Sequence, residues 1–119
     1  MAKILIVEDE FIIAWNIEEI LQAFGHEVID TVGSGEEAIA LVAEQKPDLV
    51  LMDIHLQGDL DGVSTAKQLN QAQVRVVYLT AQADDQEMQR AIETNPFGYI
   101  LKPFTHEQLR TAVSSALAP

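Results

Sequence analysis

Polar side chains that could hold a metal ion and a phosphoryl group follow short apolar runs of the chain. Glu8 and Asp9 follow the first run, Asp53 the third, Thr80 the fourth and Lys102 the fifth. If these runs are parallel strands, their carboxyl ends lie along one edge of a sheet, where α/β proteins bind ligands. Carboxylates are preferred ligands of a hard cation such as Mg²⁺, and an amine can hold a phosphoryl oxygen. The sequence therefore predicts a site for a metal and a phosphoryl group, with Mg²⁺ as the cofactor.

The segments that must position these residues are of two alternating kinds. Apolar runs of strand length alternate with longer amphipathic segments, and this βα unit occurs five times. The pattern predicts a doubly wound α/β fold, in which helices cover both faces of a parallel sheet. The flavodoxin-like strand order 2-1-3-4-5 would place strands 1 and 3 side by side. Strands are predicted near 3–7, 27–32, 48–52, 75–79 and 98–101, and helices near 10–24, 35–45, 62–71, 85–94 and 106–117.

Capping residues mark the ends of several predicted helices. Asp61 precedes the third helix and is predicted to be its N-cap rather than a metal ligand. Gly25 follows the first helix, at a position that favours a positive φ. Capping-box spacing relates Ser34 to Glu37, Asp84 to Glu87 and Thr105 to Gln108.

The composition narrows the class of protein. The 119 residues are interpreted as one domain, 1–119, which is either a complete protein or part of a longer one. Nineteen acidic against seven basic residues give a net charge of −12, which argues against direct nucleic-acid binding because phosphate contacts need clustered Lys and Arg. The chain has no cysteine, which excludes disulfides and thiolate metal sites. No apolar run approaches the roughly 20 residues of a membrane span, so we expect a cytoplasmic protein that does not insert into membranes.

Five short motifs resemble those of the receiver domains of two-component response regulators. They lie at residues 7–10 (Val-Glu-Asp-Glu), 52–54 (Met-Asp-Ile), 61–62 (Asp-Gly), 79–81 (Leu-Thr-Ala) and 101–104 (Leu-Lys-Pro-Phe). Each is short, but the order and spacing are those of the family, over essentially the whole chain. The resemblance implies a (βα)5 receiver fold and a phosphorylation-dependent signalling switch.

The resemblance implies roles for the acidic residues and the residue two positions beyond Asp53. Asp53 is identified as the phosphoacceptor, which takes its phosphoryl group from a histidine kinase. Asp9 and Asp53 would bind Mg²⁺ through their carboxylates, and Glu8 would act mainly through a metal-bound water. The backbone carbonyl of His55 would complete the protein ligands. From its position alone, the His55 side chain is predicted to lie near the phosphoryl group and to tune its hydrolysis.

Further roles follow for the residues after the fourth strand and around the fifth. Thr80 would be the switch hydroxyl that moves to the phosphoryl group, and the N–H of Ala81 would add a donor. Lys102 would pair with a phosphoryl oxygen, and its bond to Pro103 would be cis. Tyr99 would be the aromatic switch that swings inward when Thr80 moves, with plain packing at the sheet edge as the alternative.

The resemblance also implies partners. A histidine kinase or a histidine phosphotransfer protein would donate the phosphoryl group. An output domain or protein, which the sequence does not identify, would read the face made by helix 4, strand 5 and helix 5. A homodimer through the same face is a further expected assembly. Apart from self-catalysed phosphoryl transfer and autodephosphorylation, the chain is not expected to be an enzyme.

The chain departs from the family's usual pattern at two places, and two other functions remain open. Glu8 stands where the family often has Asp. The commoner form of the loop after Asp53 carries a proline and is one residue shorter, and here Gly58 is expected to restore the turn because glycine tolerates a positive φ. A Mg²⁺-dependent phosphatase with an aspartyl nucleophile is one alternative, but it would need a second Asp where the chain has His55. A degenerate receiver that is never phosphorylated and acts as an interaction module is the other.

Overall fold

One parallel sheet runs through the centre of the molecule. The computed structural model describes residues 2–56, 58–81 and 84–119, and there the strands are β1 (Lys3–Val7), β2 (Glu27–Val32), β3 (Leu49–Asp53), β4 (Arg75–Thr80) and β5 (Gly98–Leu101). They lie in the order β2-β1-β3-β4-β5, and every neighbouring pair is parallel. The predicted flavodoxin-like order is confirmed.

Helices follow each strand and cover both faces of the sheet. Within the described residues they are α1 (Phe11–Ala23), α2 (Gly35–Gln45), α3 (Gly62–Leu69), α4 (Asp85–Glu93) and α5 (His106–Leu117). The third predicted helix ran to residue 71, but α3 ends at Leu69 and a 3₁₀ helix, Asn70–Ala72, follows it. The helix ends early because the Asn70 side chain donates to the carbonyl of Thr94, a residue of another element, at 3.1 Å, and because Gln73 takes a positive φ of 59°. Among the described residues, no helix is long and apolar enough to cross a membrane.

The strands supply two apolar cores because alternate side chains point to opposite faces of the sheet. On one face Ile4 and Ile6 pack with α1 and α5. On the other face Leu5 and Val7 pack with α2 and α3. The central strand, β3, is buried along its whole length. Burial on both faces fixes the register of the strands, so that the residues after their carboxyl ends meet at one edge.

Capping interactions set several helix boundaries as predicted. The Asp61 carboxylate accepts from the Ser64 N–H at 2.8 Å and so caps α3. Gly25 follows α1 with a φ of 89°. Complete capping boxes begin α4 and α5. At α2 the Ser34 hydroxyl accepts from the Glu37 N–H, but the Glu37 carboxylate binds that hydroxyl instead of the Ser34 backbone.

Among the described residues, α4 has fewer buried residues than any other α-helix. Ala91 is its one buried residue, whereas the other α-helices each bury at least three. Met88 is half-buried and Ile92 is exposed. Such a scarcity of buried apolar residues is typical of elements that move at low energetic cost.

Candidate functional site

The ends of four strands bring the predicted site residues to one edge of the sheet. Val7 of β1 pairs with Met52 of β3, so the next residues, Glu8 and Asp53, are neighbours. On the other side of β3, β4 and β5 end together, and the Lys102 N–H donates to the Thr80 carbonyl at 2.8 Å. The strand order thus gathers residues that are far apart in the sequence.

Three carboxylates form an acidic cluster at this edge. Oxygen atoms of Glu8, Asp9 and Asp53 all lie within 4.8 Å of one another. Glu8 and Asp53 are buried, and Asp9 is partly exposed. A hard divalent cation prefers such oxygen ligands, and a partly exposed carboxylate leaves a route for it from solvent. The donor set therefore fits Mg²⁺, which is the cofactor predicted from the sequence.

The Lys102 amine joins two members of the cluster. It donates a hydrogen bond to the Glu8 carboxylate and lies 3.3 Å from Asp53 Oδ2. The Lys102 side chain is itself mostly buried. The Lys102–Pro103 peptide bond is cis, as the resemblance implied. One amine thus balances part of the negative charge that three carboxylates bring together.

The pKa values of Glu8 and Lys102 reflect this balance. Burial raises the pKa of the Glu8 carboxyl, the nearby Asp53 carboxylate raises it further, and the bond from Lys102 only partly opposes both. Burial alone would lower the pKa of the Lys102 amine, but the hydrogen bond to Glu8 and the charge of Asp53 outweigh it and raise that pKa. Lys102 therefore stays charged at neutral pH. Its charge offsets only part of the repulsion between the carboxylates of the cluster.

The loop between β3 and α3 turns sharply after Asp53. The His55 N–H donates to Asp53 Oδ1 at 3.0 Å, which fixes the orientation of the carboxylate. Gly58 has a φ of 99°, so it supports the turn as its residue type predicted. The Gly62 N–H, at the start of α3, donates to the Ile54 carbonyl at 2.9 Å. Gln57 lies outside the described residues.

The His55 side chain is directed towards α4. Its Nε2 lies 2.6 Å from Glu87 Oε2, and about half of the side chain is exposed. The predicted metal-binding role of the His55 carbonyl and its predicted effect on hydrolysis stay predictions. The ring reaches the helix that was expected to form part of the output face.

Thr80 is buried at the end of β4 beside the acidic cluster. Among the described residues its hydroxyl has no hydrogen-bond partner. A buried hydroxyl without a partner is rare and marks a group available to a ligand or a second conformation. Ala81 follows it and is exposed, while residues 82 and 83 lie outside the described part of the chain.

Tyr99 lies on the surface of β5. Its ring stacks on that of Tyr78, with centroids 6.1 Å apart, and partial burial raises the pKa of its hydroxyl. The side chain is 37% exposed. This placement fits both readings from the sequence, an aromatic switch and edge packing.

Some residues near the site were not predicted to contact it. Arg90 Nη1 lies 3.1 Å from Asp61 Oδ2, and Glu87 meets His55. Their partners are 29 and 32 positions away in the chain, so no local pattern reveals the contacts. Phe11 and Ile12 at the start of α1 are also strongly exposed. A helical projection would have found them, since both lie off the buried stripe of α1.

The sequence of residues 4–114 matches the family model of the response regulator receiver domain. The chain belongs to this family. Membership implies phosphorylation-dependent signalling. Receiver domains generally bind Mg²⁺ at an acidic pocket, and Glu8, Asp9 and Asp53 form an acidic cluster here.

Two curated response regulators are among the relatives of this receiver domain. The transcriptional regulatory protein PdtaR of Mycobacterium tuberculosis is 32% identical over 117 residues, which cover 98% of this chain and 57% of PdtaR. The response regulator protein VraR of Staphylococcus aureus is 37% identical over 114 residues, which cover 93% of this chain and 54% of VraR. The chain thus spans about half the length of these relatives.

Solved receiver domains have the same fold. The signal receiver domain of a modulated diguanylate cyclase from Desulfovibrio desulfuricans G20 matches with a TM-score of 0.93 and 35% identity, covering 98% of this chain and 94% of that one. The N-terminal domain of a response regulator/sensory box/GGDEF 3-domain protein from Carboxydothermus hydrogenoformans has a TM-score of 0.88 and 38% identity, covering 97% and 93%. The receiver fold is therefore shown by structure as well as by sequence.

Proposed function

We propose that the receiver domain, taken as the single domain 1–119, accepts a phosphoryl group on Asp53 in the cytoplasm. The donor is the phosphohistidine of a histidine kinase or of a histidine phosphotransfer protein. One observation carries the proposal: the Asp53 carboxylate lies within 4.8 Å of the Glu8 and Asp9 carboxylates and 3.3 Å from the Lys102 amine, at the ligand-binding edge of the sheet. A phosphoryl group at Asp53 would therefore have both cation ligands and an amine beside it.

In the proposed transfer, a carboxylate oxygen of Asp53 attacks the phosphorus of the phosphohistidine. The P–O bond forms as the P–N bond breaks, and the electron pair of that bond stays on the imidazole nitrogen. Positioning and charge neutralisation limit such transfers more than covalent help does. The hydrogen bond from the His55 N–H holds one oxygen of Asp53 and leaves the other facing Lys102.

Charge neutralisation would come from the cluster and its amine. Glu8, Asp9, Asp53 and the carbonyl of His55 would hold Mg²⁺, which supplies positive charge to the phosphoryl oxygens when it is bound. Lys102 would transfer its hydrogen bond from Asp53 to a phosphoryl oxygen without losing its contact with Glu8. The domain would thus catalyse its own phosphorylation and dephosphorylation and act on no other substrate.

Phosphorylation would change the conformation of the face formed by α4, β5 and α5. The unpartnered Thr80 hydroxyl would bind the phosphoryl group with the Ala81 N–H as a second donor, and Tyr99 would move inward as Thr80 moves. Phe97, directly before β5, and Tyr99 and Leu101 within it lie at alternate positions and are exposed, so they share one face. This apolar face would bind an output domain or protein, or a second copy of the chain.

The surface beside the phosphoryl site suits a protein donor better than nucleic acid. The start of α1, immediately after the acidic residues that follow β1, exposes Phe11, Ile12 and Trp15. A cleft of about 400 Å³ lies between α1 and the residues after β5, lined in part by Ile13 and Phe104. An apolar patch of this kind marks a protein contact, and the net charge of −12 opposes contact with phosphate backbones.

Intact-mass measurement after incubation with acetyl phosphate tests the proposal. We expect one added phosphoryl group on the wild type with Mg²⁺, and none with a chelator or in Asp53→Asn. Asp59→Asn, which changes an exposed acid of the same loop, is the matched control and should still be labelled.

The other outcomes separate the alternatives. Free phosphate released at Asp53 with no adduct, and release from unrelated phosphoesters as well, would identify a phosphatase and overturn the proposal. Neither adduct nor phosphate, with acetyl phosphate and with a phosphorylated kinase alike, would identify a degenerate receiver.

A further inference from the structure

Two side-chain pairs join α4 to the loop that follows Asp53. His55 Nε2 lies 2.6 Å from Glu87 Oε2, and Arg90 Nη1 lies 3.1 Å from Asp61 Oδ2. Glu87 and Arg90 are three residues apart and so lie on one face of α4. His55 and Asp61 are near the two ends of the loop. These four side chains therefore form two pairs that link the loop to α4.

The two loop residues, His55 and Asp61, lie at hydrogen bonds that connect the loop to Asp53 and its neighbour: His55 bonds to Asp53 itself, and Gly62, directly after Asp61, bonds to Ile54. The His55 N–H donates to Asp53 Oδ1, so the position of residue 55 sets the orientation of the carboxylate. Asp61 caps α3 at the Ser64 N–H, and Gly62, the next residue, donates to the Ile54 carbonyl. A shift of either loop partner would therefore move the residues on both sides of the Asp53 side chain.

The Asp61 side of this connection is well ordered by several hydrogen bonds. Besides the Ser64 N–H, the Thr65 hydroxyl donates to the Asp61 carbonyl at 2.8 Å. A second nitrogen of Arg90 lies 3.4 Å from the Ser64 hydroxyl, so the guanidinium spans the cap and the first turn of α3. A planar guanidinium that makes two contacts restricts orientation more than a single amine would.

We propose that Glu87 and Arg90 of α4 are positioning residues for phosphoryl transfer at Asp53, acting through His55 and Asp61. The inference rests on the proposed function of Asp53 and adds two residues outside the acidic cluster to it. Since α4 buries one residue, Ala91, these polar pairs rather than apolar packing set its distance from the loop. A partner that binds α4 would change the transfer rate at Asp53, and where its binding also shifts the phosphorylation equilibrium, phosphorylation changes its affinity by the same factor.

Arg90→Gln is the test variant, and Arg110→Gln is its matched control. Arg110 also pairs with an acid, Glu107 at 3.6 Å, but that acid lies within the same helix, α5, on the opposite face of the sheet. Arg90→Lys keeps the charge and loses the second contact. Glu87→Gln keeps an acceptor for the Asp84 N–H and removes the charge that faces His55.

Three quantities are measured on the full chain. The first is the rate of Asp53 phosphorylation by acetyl phosphate, followed by intact mass. The second is amide hydrogen exchange at residues 54–64, compared with β1 and α5. The third is Mg²⁺ affinity, followed by the fluorescence of Trp15, the single tryptophan.

We expect Arg90→Gln to slow transfer by about two- to fivefold, the range that an ion pair at a partly exposed site can supply. Exchange should quicken at residues 54–64 and stay unchanged in β1 and α5. Glu87→Gln should act in the same direction, Arg90→Lys should recover part of the loss, and Arg110→Gln should match the wild type.

Wild-type exchange and rates in Arg90→Gln and Glu87→Gln would overturn the inference. Faster exchange throughout the sheet, with no recovery in Arg90→Lys, would overturn it as well, because it would show general destabilisation. If the wild type accepts no phosphoryl group, the proposed function fails. Local exchange and Mg²⁺ affinity in the same variants would then still show whether α4 positions the loop.

Discussion

The Lys102 amine lies 3.3 Å from the Asp53 carboxylate, although 49 positions separate the two residues in the chain. The same amine donates to Glu8, so one cation serves two buried carboxylates. Burying charges is costly unless they are paired, and a third carboxylate, Asp9, adds to the repulsion. The site is therefore arranged to gain stability when negative charge is removed or positive charge is added.

Removing the Asp53 charge should stabilise the protein in the absence of divalent cations. We expect Asp53→Asn to raise the free energy of unfolding at pH 7 by on the order of 1 kcal/mol, since one pKa unit of carboxylate repulsion corresponds to about 1.4 kcal/mol. The pKa of Glu8 is raised, so Glu8 takes up its proton above the ordinary value of 4.5. The repulsion and the gain should therefore shrink as the pH falls towards 4. Urea unfolding with a chelator at pH 7 and pH 4 measures this gain in the free energy of unfolding. An equal gain at the two pH values would contradict the prediction.

Adding Mg²⁺ should stabilise the wild type more than variants that lack one carboxylate of the acidic cluster. A ligand at ten times its dissociation constant adds about 1.4 kcal/mol to the free energy of unfolding of a protein that binds it only when folded. We expect thermal unfolding to shift upwards with Mg²⁺ in the wild type, and much less in Asp53→Asn or Asp9→Asn. Asp59→Asn, in an exposed part of the loop, should respond as the wild type does. Equal shifts in all four proteins would indicate general salt effects and not a site.

The strand pattern and the residues after each strand were sufficient to predict the fold and the cluster. General rules of chain connection leave the flavodoxin-like order as one of two common solutions, and in that order Glu8, Asp53 and Lys102 must meet. Helix ends were predicted where a cap is a local signal, as at Asp61 and Thr105. The predicted roles of the individual site residues stay predictions until they are tested.

Contacts between side chains of different elements were not predictable from the sequence. Arg90 and Asp61 are surface-type residues that each suit many partners, and only the packing angle of α4 brings them together. The end of α3 was placed two residues too late because Asn70 bonds to Thr94, a residue of another element. Periodicity reports what a segment buries, and it carries no information on which polar groups meet across the surface.

Gly62 should tolerate no side chain. A Cβ there would lie 2.0 Å from the Asp53 carbonyl oxygen, which is backbone and cannot rotate away. We expect Gly62→Ala to lower the free energy of unfolding by about 2 kcal/mol or more and to slow phosphorylation, because the start of α3 must move from β3. In Gly98→Ala, the control, the nearest atom is a Val77 methyl at 3.8 Å. Urea unfolding and intact mass compare the two, and equal behaviour would refute the steric argument.

Asp61 should contribute stability that disappears in acid. Burial alone would raise the pKa of its carboxyl, but the Ser64 N–H and Arg90 together hold it below the ordinary value of 3.8. A lowered pKa means that the contribution is present above pH 3.8 and is lost as the pH falls below it. We expect Asp61→Asn, which keeps a capping oxygen, to lose less stability than the wild type between about pH 4 and pH 2.5. Urea titrations measure it, and a constant difference over that range would show that Asp61 does not titrate in this way.

The hydroxyl pair of Tyr78 and Thr94 should anchor the end of α4 to β4. The Thr94 hydroxyl donates to the Ala91 carbonyl at 2.6 Å, so the Tyr78 hydroxyl, 2.7 Å from it, must be the donor of their shared bond. Thr94→Val leaves the buried Tyr78 hydroxyl unpaired and should cost about 1–3 kcal/mol of unfolding free energy. Tyr78→Phe should cost less, because Thr94 keeps Ala91 as its acceptor. The double variant should therefore be more stable than Thr94→Val alone, since replacing both partners leaves no unpaired donor. Urea unfolding of the wild type, the two single variants and the double variant completes this double-mutant cycle. Strictly additive losses of unfolding free energy would show that the two hydroxyls do not interact.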